Sequence, residues 1–243
     1  MSIKKTFRCD LGKANYSQLN NKVNPKNTCN STAYVMALDY MGYKFPDDIF
    51  PEFDQPEDKL TMLCYTDDEV LEFYKKLSAP MFYQWVNETK KISEEHPDLQ
   101  LKDYVYKDSY APNEVHDVMN FATNLFLGYT EKDIENKDYA THFVSEFNER
   151  CVLRELSEGC PVVSSVRFGG CGHYITIVGV QWHDELIPDN IENYIIDNTY
   201  GKFNFKTETY EKVSGNDNII PRKELLARVR PAMHLFIKGA ETI

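Results

Sequence analysis

No stretch of 18 or more apolar residues runs through this 243-residue chain, so no membrane-spanning helix is expected. A basic excess is also missing. Lys and Arg number 27 against 38 Asp and Glu, a formal net charge of -11. That balance excludes the positive footprint of a nucleic-acid binder and argues against unaided adsorption to anionic membranes. Lys4 and Lys5 are followed by no apolar run, so a secretory signal is not expected. The reading is synthesis in the cytoplasm, with release from the cell or incorporation into a virion left open. Internal repeats, low-complexity tracts and linkers are absent too. The six cysteines are not arranged as in a small disulfide scaffold, and in a long chain without an export signal they are expected as thiols.

What is present is a composition able to build a large core, 42% hydrophobic and 13% aromatic. Helix signals dominate the first part. Cys29 to about Met41 carries an apolar stripe of Tyr34, Val35, Leu38 and Met41, with Gly42 as the stop. Thr66 and Glu69 have the spacing of a capping box. Pro112 suits a first helical position ahead of Val115 to Phe126, and a further helix is expected from about Glu149 to Glu158. After residue 159 the period changes. CPVVSSVRF, HYITIVGVQW, NYIIDN and PAMHLFIKG read as strands separated by turn signals, with a short surface helix at PRKELLARV. Helices first and an antiparallel sheet afterwards give an α+β class. The expected layout is one domain over 1–243: a mainly helical lobe over 1–158, with an inserted helical region at about 45–145, and a sheet lobe over 159–243. PEFDQPED and TDDE read as solvated acidic loops and caps.

One constellation has the parts of thiol chemistry on a carbonyl, which needs a thiolate, a base, a group that orients the base and an oxyanion donor. Cys29 opens a helix, where unpaired N–H groups favour a thiolate. His173 opens a strand after the turn GGCG, and Gly172 beside it permits close approach of a helix or substrate. Pairing of strands 173–180 and 193–197 would bring Asp197 near His173 as orienter, with Asn198 as second choice. Gln18, eleven residues before Cys29, is the candidate oxyanion donor. Cys160, Cys171 and His173 lack the paired spacing of a zinc site, so no metal is expected.

SQLNNKVNPKNTCNSTAYVMALDYMG, LSEGCPVVSS, GHYITIVGV and YIIDNTYG together resemble the C39-like peptidases of the papain-like cysteine peptidase superfamily. Gln18, Cys29, His173 and Asp197 match in order the family's Gln, its helix-opening Cys, its Gly–His strand start and its Asp in an Asp-Pro-Tyr-Gly-like turn. Two departures stand out. Asn30, Ser31 and Thr32 follow the cysteine where many members have Gly-Pro-Thr, which is expected to alter the surface beside the nucleophile. The turn Asp197-Asn198-Thr199-Tyr200-Gly201 lacks the usual Pro.

The resemblance implies a papain-like fold with a helical lobe and a sheet lobe, no cofactor, and hydrolysis of a peptide bond in a peptide, protein or peptidoglycan substrate, in a bacterial cell-wall or phage context. Two other readings are carried forward: transfer or deamidation on the same scaffold, and a non-catalytic binding or virion protein that keeps the fold.

Overall fold

The structure, a computed structural model, describes residues 4–10, 16–107, 110–211 and 213–237. These divide into two compact units that are not contiguous in sequence. One holds 18–31 and 44–139; the other holds the described residues of 1–17, 32–43 and 140–243. Helix α1 (Cys29–Tyr40) begins in the former and continues in the latter.

The first unit is helical: α2 (Pro56–Thr66), α3 (Asp68–Leu77), α4 (Ala79–Glu95), α5 (His116–Phe126) and the short α6 (Glu131–Glu135). Pro56 sits in the first turn of α2, where its missing N–H removes no helical bond. The cap of α3 is Asp67, whose carboxylate accepts from the N–H groups of Glu69 and Val70. Thr66, expected to cap that helix, is the last residue of α2, so a carboxylate takes the role assigned to the hydroxyl. Pro112 lies one turn early, in a 3-10 turn, and α5 starts at His116. Aromatic rings fill this core, with Phe73 stacked on Phe121 at 4.3 Å between centroids.

PEFDQPED is not a solvated loop at its end. Glu57 and Asp58 are 1% and 0% exposed on α2. Asp58 accepts the backbone N–H groups of Lys22 and Val23, each at 2.9 Å. A run of charges looked solvated by composition, yet a carboxylate that satisfies two backbone donors is stable when buried.

The second unit is built on a seven-stranded antiparallel sheet: β1 (Lys5–Arg8), β2 (Thr141–Val144), β3 (Val162–Phe168), β4 (Cys171–Trp182), β5 (Ile191–Asn198), β8 (Asn218–Pro221) and β9 (Val229–Phe236). The order is β2-β9-β3-β4-β5-β8, with β1 paired to β4. A separate two-stranded ribbon joins β6 (Lys202–Asn204) and β7 (Thr209–Glu211). The sheet thus recruits β1 and β2 from outside 159–243. Both are four-residue strands, too short for the period-two signal to stand out.

Side chains alternate between the faces. Val162, Val166, Ile175, Ile177 and Ile196 pack with Val152, Leu153 and Leu156 of α7 (Glu149–Ser157) and Leu225 of α8 (Arg222–Leu226). Thr176 and Asp197 bond to α1 instead: the Thr176 hydroxyl donates to the Ala33 carbonyl, and the Tyr40 hydroxyl to Asp197. The helices and antiparallel sheet make the class α+β. No helix among the described residues is long and apolar enough to cross a membrane.

Candidate active site

Cys29 is the first residue of α1 and is half-buried. The loop before it is fixed from several directions within the helical unit. Gln18 is buried on a 3-10 turn (Gln18–Asn20), and its amide donates to the Pro25 carbonyl at 3.0 Å. The Asn21 amide donates to the Thr28 hydroxyl at 2.9 Å. Asn24 holds a positive φ of 38°, a left-handed conformation that asparagine tolerates better than most non-glycine residues. The Asn27 carbonyl accepts from the Asn113 amide at 3.0 Å.

Asn30 does not lie on the surface beside Cys29, as the sequence suggested. It is 1% exposed. Its amide donates to the Asn113 backbone carbonyl, its Oδ1 accepts the Ser31 N–H, and the Asn113 amide reaches the same oxygen. The Tyr65 hydroxyl closes the network on Asn113 Oδ1 at 3.0 Å, and the Thr61 hydroxyl donates to Ser31 Oγ. Where many relatives have Gly-Pro, this chain carries polar side chains that satisfy one another. Asn113, on which four of these bonds converge, had no signal in the sequence beyond its place after Pro112.

On the sheet unit, His173 is buried, and its Nε2 lies 2.8 Å from Asn198 Oδ1. The Tyr200 N–H donates to the same oxygen at 3.0 Å. The Tyr200 N–H fixes that atom as the amide oxygen, which can only accept, so Nε2 carries the ring proton and Nδ1 is the basic nitrogen. Burial pushes His173 down to about 4, against the Asn198 hydrogen bond, which favours the charged ring. The resting imidazole is therefore neutral at physiological pH. Tyr210 and Tyr200 meet it edge-on, with centroids 5.8 and 6.4 Å away.

Asp197, the first-choice orienter, does not touch His173. Its oxygens accept from the Asp217 N–H at 2.8 Å and the Tyr40 hydroxyl at 2.7 Å. The reason is strand parity. Asn198 pairs with Ile175 and Asp197 with Thr176, so Asn198 shares a face with Ile175 and His173, while Asp197 points the other way. Burial pushes Asp197 up to about 6, opposed by those two hydrogen bonds and reinforced by the Asp10 and Asp217 charges.

Asp10, Asp197 and Asp217 bring carboxylate oxygens within 4.8 Å of one another. Their cation is Arg8, which grips Asp10 through both oxygens at 3.0 and 2.6 Å and also pairs with Asp217. All six cysteines are thiols, with Cys160 buried and Cys171 exposed. The close neighbour at Gly172 is the Arg230 side chain of β9 rather than a helix: a Cβ there would lie 3.0 Å from the guanidinium. Of the other histidines, which the sequence left without partners, His234 is buried against Tyr34, whose hydroxyl bonds its Nδ1.

No curated protein matches this chain, and no solved structure does. A model of the Peptidase C39-like family matches residues 11–217, a span that includes Gln18, Cys29, His173 and Asn198, and the chain belongs to that family.

Proposed function

We propose that this chain is a cysteine peptidase of papain-like arrangement in which Cys29, His173 and Asn198 form the catalytic triad. The observation that carries the reading is the Nε2–Oδ1 bond between His173 and Asn198, in a peptidase-family chain whose helix-opening residue is a cysteine. Asp197 drops out of the triad.

In this reading His173 Nδ1 takes the Cys29 proton as sulfur attacks the scissile carbonyl. A neutral imidazole at neutral pH suits a general base. The imidazolium then protonates the leaving amine, and Nδ1 next activates the water that cleaves the thioester. Asn198 keeps Nε2–H engaged throughout, so Nδ1 remains the working nitrogen. The Cys29 N–H and the Gln18 amide stabilise the oxyanion, each such donor being worth about 10²–10³ in rate.

The substrate class is a peptide or protein. Cell-wall peptides enter the screen because the family resemblance extends to bacterial and phage proteins. The test is hydrolysis of casein, a peptide library and peptidoglycan fragments by wild type, Cys29→Ala and His173→Ala. Cleavage by wild type that disappears in both variants is expected. Cleavage that survives Cys29→Ala would refute the mechanism, and a folded wild type inert on every substrate would favour the non-catalytic binding protein.

A further inference from the structure

Asp197 is fully buried and one residue from Asn198, yet it lies on the other face of β5. It ties that strand end to two separate parts of the sheet unit. Oδ2 accepts from Tyr40 on α1, and Oδ1 accepts the backbone N–H of Asp217. Through Asp217 the tie extends to Arg8 and Asp10 at the end of β1.

The segment held by Asp217 is the one that grips Asn198. The Asn198 N–H donates to the Gly215 carbonyl at 3.0 Å. The approach is so close that a Cβ on Gly215 would lie 1.8 Å from the Asn198 carbonyl oxygen. No side chain fits there.

The Asn198 side chain needs such support. Its Oδ1 is doubly bonded, but its Nδ2 is buried with no hydrogen-bond partner among the described residues. A buried unsatisfied N–H₂ costs about 1–3 kcal/mol. It gives the amide a standing reason to rotate toward any acceptor. A rotated amide would present Nδ2 to His173 Nε2, set a donor against a donor, and drive the imidazole to the Nδ1–H tautomer. That tautomer has no basic nitrogen free for Cys29.

We infer that Asp197 is a positioning residue, which by fixing the backbone at the end of β5 keeps the Asn198 amide oxygen on His173 Nε2 and so sets the histidine tautomer. The inference rests on the triad reading given above. It assigns a use to the carboxylate that the sequence singled out and the triad does not absorb.

The experiment is ¹⁵N NMR of the His173 ring in wild type, Asp197→Asn, Tyr40→Phe and Asn198→Ala, beside the rate of Cys29 alkylation by iodoacetamide. The wild type is expected as the Nε2–H tautomer. In Asp197→Asn a mixed or Nδ1–H population is expected, with alkylation about 10-fold slower. Because Asp197 acts through Asn198, Asp197→Asn is expected to cost nothing further in an Asn198→Ala background. An unchanged tautomer in Asp197→Asn, or rate losses that multiply in the double variant, would overturn the inference. Should Asp197→Asn fail to fold, Tyr40→Phe removes one of the two donors and is read by the same criteria. Failure of the triad reading looks different: wild-type Cys29 would alkylate no faster than exposed Cys171 and ignore His173→Ala, while the ring tautomer still answers for Asp197.

Discussion

Glu57 is a test of how the helical unit holds the Cys29 loop. It is 1% exposed on α2. Its Oε1 receives a long 3.5 Å contact from Gln55, its own backbone N–H hydrogen-bonds the carboxylate, and its Oε2 has no partner among the described residues. Burial pushes its carboxyl up to about 7 from 4.5, with the Asp58 charge adding to the shift. A carboxyl with a raised folded-state value contributes stability that is complete below pH 4.5 and is lost as pH rises through about 7. At about 1.4 kcal/mol per pH unit over that window, the loss is on the order of 3 kcal/mol. Glu57→Gln keeps the shape and removes the titration. The variant is expected to be about 1–3 kcal/mol more stable than wild type at pH 8, the lower end allowing for an amide N–H₂ without partners, and no more stable at pH 4. Urea denaturation of both proteins at the two pH values measures this as a double difference. His173, pushed down by burial, acts with the opposite sign and loses stability as pH falls from 6.5 toward 4. Asp197, pushed up, acts with the same sign as Glu57. Both cancel in the difference. Equal stability of Glu57→Gln and wild type at pH 8, or a less stable variant, would refute the reasoning. Glu57 matters to the site because its neighbour Asp58 holds the N–H groups of Lys22 and Val23, midway between Gln18 and Cys29.

Asn198→Ala is expected to lower kcat by about 10²-fold through loss of ring orientation. Asn198→Asp should retain activity while the adjacent charge moves the acid limb of kcat/KM up from about pH 4 by roughly 1–3 pH units; a pH profile that stays put would count against His173 as the titrating base. Asn113→Ala removes the amide that donates to the Asn27 carbonyl and to Asn30 Oδ1 and that accepts the Tyr65 hydroxyl, while Asn30 keeps the backbone carbonyl of residue 113 and the Ser31 N–H. The substitution should cost about 2–4 kcal/mol and slow Cys29 alkylation, and a variant as stable as wild type in urea would show the network to be dispensable.

The strands carrying His173 and Asn198 were legible because β-branched and aromatic residues are dense in them and Gly or Asp-rich turns bound them. The α1 start was legible from the switch of a polar loop into an apolar stripe. The orienter was not settled by the sequence, since the choice between Asp197 and Asn198 is one step of strand register. A carboxylate is the stronger partner for an imidazole by charge, yet parity overrides charge. The pairing of β4 with β5 carries two irregularities, between Ile177 and Gly179 and between Gln181 and Trp182, that offset each other, and no local pattern announces either. Asn30 was misjudged because its partner Asn113 is 83 residues away. Glu57 and Asp58 were misjudged because composition reports charge and not which backbone donors wait for it.

The Asn113 network also has a temporal meaning. The bonds that organise the Cys29 loop span 83 and 86 residues of sequence, and His173 and Asn198 follow later still. A ribosome adding about 5–20 residues per second needs on the order of ten seconds or more to go from Cys29 to Asn198. During that interval the nascent chain carries its cysteine before the residues that anchor its loop, and those proposed as its base and orienter, exist. Long-range closure of this kind makes folding slow, but it also means that a broken-off translation product ending before residue 113 carries the thiol without its loop. The proposed triad is thereby assembled only after residue 198 has been added.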